Sequence, residues 1–145
     1  MKLDQCKIID FPIVHDVRGN LSFIESKNHI PFDIKRVYYL YDVPSGAKRG
    51  GHAHKELEEI IIALSGSFDV VVDDGFAKKS FFLNRPHYGL FIPSGMWRTI
   101  ENFSSNSVAI ILASELYQES DYVRNYKVFK KMFRKRPEVK ARMSV

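Results

Sequence analysis

Gly46-Ala47-Lys48-Arg49-Gly50-Gly51-His52-Ala53-His54-Lys55-Glu56-Leu57-Glu58-Glu59 runs directly into the apolar run Ile60-Ile61-Ile62-Ala63-Leu64 and then Ser65-Gly66. Side chains alternate along an extended strand, so His52 and His54 project from one face. Gly46 suits the turn that feeds this strand, and Ser65-Gly66 reads as the turn that closes the next. The apolar run between them fits a strand inside a barrel. Glu58 and Glu59 are neighbours, so only one of them can share the histidines' face. Parity favours Glu58 if a single regular strand continues through both.

Working outward, the flanks read as more strands. Residues 7–13 form a short edge strand limited by Pro12, 15–20 a turn, 21–25 a strand and 26–31 a loop. Residues 35–43 are rich in β-branched and aromatic side chains and make the clearest early strand. Downstream, 68–72 pairs with 79–83 around the hairpin signal Asp73-Asp74-Gly75. Residues 89–93, 97–101 and 107–113 complete the set. Short strands at this spacing predict an all-β sandwich or barrel. Beyond them, Tyr122, Tyr126, Phe129 and Phe133 form a helical stripe, with Asp121 or Ser120 as cap and Pro137 as terminator. The reading is one domain over residues 1–145, with a C-terminal helix over about 116–136 and a polar tail over 137–145.

Composition narrows the function classes. The chain has 145 residues, enough for a single core. No apolar run approaches the about 20 residues of a membrane span, and the first residues lack a signal-peptide core, so no membrane association is expected. The single Cys6 excludes an internal disulfide and fits a reducing cytoplasm. The net charge of +5 resides in residues 127–142, which alone carry +7. A solvated basic tail, not a groove, explains the basicity, and nucleic acid is not an expected partner.

Glycine, His-x-His, glutamate and glycine at these intervals resemble the first motif of the cupins, small β-barrels with chemistry in their mouths. That motif spacing favours Glu59 over Glu58, and a bulge would reconcile it with parity. Pro93-Ser94-Gly95, Arg98 and Asn102 resemble the second motif. In metal-binding cupins a histidine stands where this chain has Arg98. A guanidinium cannot donate a lone pair and repels a divalent cation. Two histidines and at most one carboxylate are a thin set for zinc, whose catalytic sites use three protein ligands plus water, and their number does not exclude iron. The site is read as metal-free.

The mouth of such a barrel would hold two imidazoles, Arg98, Arg49 and tyrosines of the 38–41 stretch. An imidazole can take a proton from carbon, and a guanidinium or phenol can stabilise the oxyanion that forms. The combination suits proton abstraction beside a carbonyl. His15, His29 and His87 lie in turns or loops and read as surface residues.

A closer resemblance rests on residues 16–21, 34–39, 49–55, 72–75, 113–114 and 121–126. Together they are similar to the WxcM-like sugar 3,4-ketoisomerases, over nearly the whole chain. The resemblance implies an RmlC-like jelly-roll barrel, a homodimer, no cofactor and a dTDP-linked keto-deoxy sugar as substrate. It implies transfer of the keto group of dTDP-4-keto-6-deoxyglucose from C4 to C3, ahead of amination to a 3-amino sugar for a surface polysaccharide. His54 is assigned as base and His52 as its partner. Arg18, Arg36 and Arg49 are diphosphate candidates, Tyr39 and Trp97 candidates for sugar or thymine contacts, and Arg98 a further substrate contact. Many family members have Trp-His where this chain has Trp97-Arg98. A nucleotide-sugar 3,5-epimerase and a non-catalytic sugar-binding barrel are the alternatives.

Overall fold

The computed structural model describes residues 2–133. Two five-stranded sheets face each other. In the first the order is β1 (Lys7–Asp10), β9 (Tyr88–Ile92), β6 (Glu59–Ser65), β11 (Val108–Ala113) and β4 (Arg36–Leu40). In the second it is β12 (Tyr122–Val123), β5 (Arg49–His54), β10 (Trp97–Glu101), β7 (Phe68–Asp73) and β8 (Lys78–Leu83). A small hairpin, β2 (Ile13–Val14) with β3 (Leu21–Ser22), stands apart from both. The paired strands run antiparallel and the chain passes repeatedly from one sheet to the other, which is the expected jelly-roll barrel.

The alternation of each strand explains the core. Ile61 and Ala63 of β6 meet Val70 and Val72 of β7, Ile100 of β10 and Ile111 of β11 between the sheets, all buried. Ile60 and Ile62 point the other way and are buried against Phe11, Ile30 and Phe32 of the N-terminal segment. Strand β6 is therefore covered on both faces, which is why its sequence is an unbroken apolar run rather than an alternation. The β7–β8 connection is as expected: Gly75 donates its N–H to Asp73 Oδ1 at 2.7 Å, and Phe76 donates to Asp74 Oδ1 at 2.8 Å.

The chain leaves β5 for the opposite sheet across residues 55–58, so strand parity does not carry from the histidines to the glutamates. Strand β6 starts afresh at Glu59, which shares the inward face with Ile61 and is 1 % exposed. The crossing between sheets, and not a bulge, selects Glu59.

The C-terminal segment departs from expectation. The helix, α1, spans Tyr126–Phe133, and its start is ten residues later than the predicted 116. Residues Glu119–Asp121 form a 3₁₀ turn, and β12 adds to the open edge of β5 with Tyr122 opposite His54 and Val123 opposite Ala53. Unpaired edge groups of β5 are thus satisfied, at the expense of helix in that segment. Asn125, not Asp121 or Ser120, caps the helix, receiving the Val128 N–H on Oδ1 at 3.1 Å. The predicted helix end at 134–136, Pro137 and the 137–145 tail lie outside the described residues. Among the described residues no helix is long and apolar enough to cross a membrane.

Helix α1 packs on the back of the strands that carry the site. Phe129 is fully buried against Ala53 and Val123, with the Trp97 ring 5.7 Å away. Truncating a buried phenylalanine typically costs about 3–5 kcal/mol. Phe129→Ala is expected to lower unfolding stability by about that amount in urea titration. A loss below about 1 kcal/mol would show that the helix is dispensable to the barrel.

Candidate active site

Five strands wall the site. His52 and His54 project inward from β5, and Arg98 on β10 stands directly opposite His52. Beyond that pair the register slips by one residue, because Ile100 is paired with Arg49. The resulting bulge at Gly50-Gly51 puts Arg49 on the side of the inward-facing Ile100, at an exposed position. Gly50 has φ +72°, and a Cβ there would fall on the Arg98 guanidinium. Only glycine fits both the backbone and the space.

Arg98 is 2 % exposed and nearly saturated. Its Nε donates to Glu59 Oε1 at 2.7 Å and its Nη2 to Glu59 Oε2 at 3.2 Å. Nη2 also donates to the Tyr38 hydroxyl at 2.9 Å, and Nη1 to the Gly50 carbonyl at 3.0 Å. Both oxygens of the motif carboxylate thus face a cation, and the donor set does not fit a metal ion. Among the described residues no group of three or more histidine, cysteine, aspartate or glutamate side chains is arranged to hold one. Burial, with Glu59 beside it, raises the Tyr38 phenol above its usual range, so it stays protonated.

The two histidines sit edge to face, 4.8 Å between ring centroids, and the Tyr122 ring packs on both at 4.9 and 4.4 Å. Their electrostatic settings differ. Burial, then Arg98 and His54, pull His52 down to about 2, so it is neutral at any working pH. Burial also lowers His54, but Glu59 and Asp121 oppose that shift. Asp121 Oδ2 lies 3.1 Å from His54 Nδ1, and Glu59 Oε2 lies 3.7 Å from His54 Nε2. At the rim, Arg36 on β4 donates from Nη2 to the Tyr122 hydroxyl at 3.2 Å and lies over the Tyr38 ring at 5.1 Å. Three buried nitrogens here, Arg36 Nε, His52 Nε2 and His54 Nε2, have no hydrogen-bond partner. Buried polar groups are nearly always satisfied, so such a cluster marks a place where a polar ligand fits.

The structure therefore brings together His52, His54, Arg98 and Arg36, with Arg49 on the same side. It does not bring in three other expected residues. Tyr39 is 60 % exposed on the outer face of β4, paired with Ile110, because strand alternation gives the inner face to Tyr38. Trp97 is one residue off the inward register and packs edge to face on Tyr126 and at a tilt against Phe129 behind the sheet. Arg18 lies in the turn between β2 and β3, where its guanidinium is held by Asp16 at 2.9 Å. Sequence reasoning missed Tyr122 and Asp121 as site residues and, among the tyrosines of the 38–41 stretch, singled out Tyr39 instead of Tyr38. Tyr38 could have been found by its parity with Arg36; the other two were absorbed into the predicted helix.

Comparison with known proteins agrees with this architecture. The family model described as FdtA, WxcM-like, C-terminal matches residues 4–134. A TDP-4-oxo-6-deoxy-alpha-D-glucose-3,4-oxoisomerase of Aneurinibacillus thermoaerophilus is 43 % identical over 129 residues, spanning 89 % of this chain and 93 % of the relative. The crystal structure of a 3,4-ketoisomerase from Helicobacter canadensis has a TM-score of 0.87 at 45 % identity, covering 90 % of this chain and 98 % of that one. A histidine-to-asparagine variant of the 3,4-ketoisomerase QdtA from Thermoanaerobacterium thermosaccharolyticum, in complex with TDP-4-keto-6-deoxyglucose, has a TM-score of 0.88 at 39 % identity, covering 91 % and 96 %. A dTDP-4-dehydrorhamnose 3,5-epimerase from Bacillus anthracis, with a TM-score of 0.73 at 16 % identity over 84 % of this chain and 79 % of that one, shares the fold alone. A match over nearly the whole chain, with this site at its centre, means that the protein belongs to the FdtA, WxcM-like C-terminal family.

Proposed function

We propose that this protein is a metal-free isomerase that converts TDP-4-keto-6-deoxyglucose to the 3-keto sugar, a step that prepares a 3-amino sugar for a surface polysaccharide. The observation that carries the reading is the cluster of unpartnered buried nitrogens on Arg36, His52 and His54, in a chain related throughout to TDP-sugar 3,4-ketoisomerases. His54 Nε2 takes the proton from C3, and the electron pair of that bond moves through C3–C4 onto the C4 oxygen, giving an enediolate. The proton on His54 exchanges with solvent, and His54 delivers one to C4 while the C3 hydroxyl proton passes to the C4 oxygen, leaving the ketone on C3. No oxidant or reductant enters, because the two carbons exchange oxidation states. His52, neutral and without a carboxylate beside it, holds a substrate oxygen. Arg98 and the protonated Tyr38 put positive charge and a donor beside the developing oxyanion. Arg36 and Arg49 hold the diphosphate, for which guanidinium geometry is suited.

We read the working form as a cytoplasmic homodimer. The thiol of the single Cys6 is buried, in keeping with a reducing compartment. The β2–β3 arm exposes Val14 (53 %), Val17 (103 %) and Leu21 (57 %) beside a groove of about 410 Å³ lined by Phe11, Ile13, Phe23 and Leu64. A second copy is the occupant proposed for this apolar surface, and Arg18, on the same arm, is kept among the diphosphate ligands of the dimer. Light scattering is expected to give twice the chain mass, and a monomer at micromolar concentration would overturn this part.

Incubation with TDP-4-keto-6-deoxyglucose in deuterated water tests the reaction. NMR is expected to show the ketone moving from C4 to C3 with deuterium entering at C4, equally fast after dialysis against EDTA. Exchange at C3 and C5 with the ketone still at C4 would indicate an epimerase, and binding without product a non-catalytic barrel. Activity that chelation abolishes and Fe²⁺, Mn²⁺ or Zn²⁺ restores would overturn the metal-free site.

General-base catalysis contributes about 10²- to 10⁴-fold, so His54→Asn is expected to cut kcat by at least about 100-fold with little change in nucleotide affinity. His52→Asn is expected to lose activity as well. Retention of more than about a tenth of kcat in His54→Asn would move the base to His52 or to a tyrosine.

A further inference from the structure

Both imidazoles of the site are shut away from solvent. His52 is 8 % exposed and His54 4 %, and the Nε2 atom of each is buried without a partner. A base acts on a carbon-bound proton only from contact, with the reacting atoms about 3–3.5 Å apart. As the side chains stand, a pyranose ring reaches neither nitrogen. Part of the wall has to move.

Most of the wall is fixed. Strand β5 is laddered to β10 on one side and to β12 on the other. Arg98 is tied to Glu59, Gly50 and Tyr38 by hydrogen bonds of 2.7 to 3.2 Å, and its displacement would strip a buried ion pair. Tyr122 is different. Its ring packs on both imidazoles, at 4.9 and 4.4 Å between centroids, yet the residue is only half-buried. Its other ring neighbours are exposed side chains: the Tyr117 ring at 5.6 Å and the Arg124 guanidinium at 4.3 Å. Among the described residues its hydroxyl has one hydrogen bond, accepted from Arg36 Nη2 at 3.2 Å, the long end of the usual range. Rotation about the side-chain bonds swings the ring outward while the β12 backbone stays paired with β5.

The latch is itself suited to an anion. The Arg36 guanidinium lies over the Tyr38 and Tyr117 rings at 5.1 and 5.5 Å, and its buried Nε has no partner. A phenol oxygen is a neutral acceptor, whereas a diphosphate oxygen is charged, and charge-assisted bonds are roughly twice as strong. A nucleoside diphosphate that engages Arg36 therefore draws the guanidinium from the phenol. That gives the ligand a higher affinity for the open ring than for the closed one, which is what shifts such an equilibrium.

We propose that Tyr122 is a gate over the two histidines, latched by Arg36 and released when Arg36 engages the diphosphate of the incoming nucleotide sugar. The proposal rests on the reading of this site as one for a nucleoside diphosphate sugar, and it holds whichever imidazole takes the proton. The phosphate end of the substrate is the key that admits the sugar end, so a free hexose finds the site closed.

Carbethoxylation of the free protein by diethyl pyrocarbonate, mapped by peptide mass, reads access to His52 and His54. Both are expected to react slowly in the wild type. They are expected to react at least about threefold faster in Tyr122→Phe, which lacks the latch bond, and about tenfold faster in Tyr122→Ala, which lacks the ring. Unchanged rates in both variants overturn the gate. In protein labelled with 3-fluorotyrosine, the Tyr122 ¹⁹F signal, assigned by its loss in Tyr122→Phe, reads the ring itself. Saturating TDP is expected to shift it and to increase its broadening by a soluble gadolinium chelate at least about threefold, while thymidine, which lacks the diphosphate, leaves it in place. TDP that binds without moving the signal, or thymidine that moves it equally, overturns the proposal. If Tyr122→Ala does not fold, Tyr122→Phe and the fluorine spectra decide. If the wild type fails to isomerise the sugar, the proposed reaction falls, while histidine access and the response to TDP still judge the gate.

Discussion

The buried ion pair of Arg98 with Glu59 ties the barrel together at its mouth. Arg98 belongs to the second sheet and Glu59 to the first, and the same guanidinium bonds Tyr38 on β4 and the Gly50 carbonyl on β5. Four strands from two sheets thus converge on one cation. A buried pair of this kind adds little net stability over a well-packed apolar substitute, because desolvation offsets the attraction, whereas removal of one partner costs about 3–5 kcal/mol. Its effect is electrostatic. It places a fixed positive charge beside the histidines and fills the carboxylate that a metal ion would need.

That charge separates the roles of two otherwise similar imidazoles. Both histidines are buried, which disfavours their protonated forms. Arg98 adds to the penalty for both, but only His54 has carboxylates on either side to offset it. A base that must take up a proton and give it back within one turnover works best with its pKa near the working pH. His54 is the ring whose surroundings move it in that direction. His52 stays neutral and suits a hydrogen bond to a substrate oxygen. The folded state thus holds fewer protons on these rings than the unfolded chain, so their burial costs stability as pH falls below about 6.5, the ordinary histidine value.

Much of this was legible in the sequence wherever the deciding signal is local. The His-x-His face, the Asp73-Asp74-Gly75 hairpin and the apolar β6 run follow from alternation and turn chemistry, and the oddity of Arg98 follows from residue type alone. The failures share a cause: each depended on which sheet or face a segment joins. Glu58 and Glu59 could not be separated, because the chain changes sheets at 55–58 and parity restarts. Tyr39 was preferred over Tyr38 although Arg36 and Tyr38 share a face, and Trp97 was given to the site although Arg98 and Trp97 cannot point the same way. The stripe from Tyr122 to Phe133 has a helical period throughout, but the open edge of β5 captures its first residues as strand.

That capture joins the stability of the fold to its chemistry. Strand β12 is only two residues long and pairs with a single neighbour, so its own ladder is too weak to hold Asp121 and Tyr122 against the histidines. The restraint comes from either side of it. Upstream, the Asp121 carboxylate and carbonyl take the N–H groups of Glu56 and Lys55 at 2.7 and 2.9 Å. Downstream, Val123 and Phe129 are buried against Ala53, on the reverse of the very strand whose front carries His52 and His54. Strand β5 is thus gripped by one C-terminal segment on both faces, apolar contact behind and a carboxylate and a phenol in front. Loosening of helix α1 would free Asp121 and Tyr122 before it disturbed the sheets, so loss of a packed phenylalanine far from the substrate would register first as misplacement of the catalytic ring.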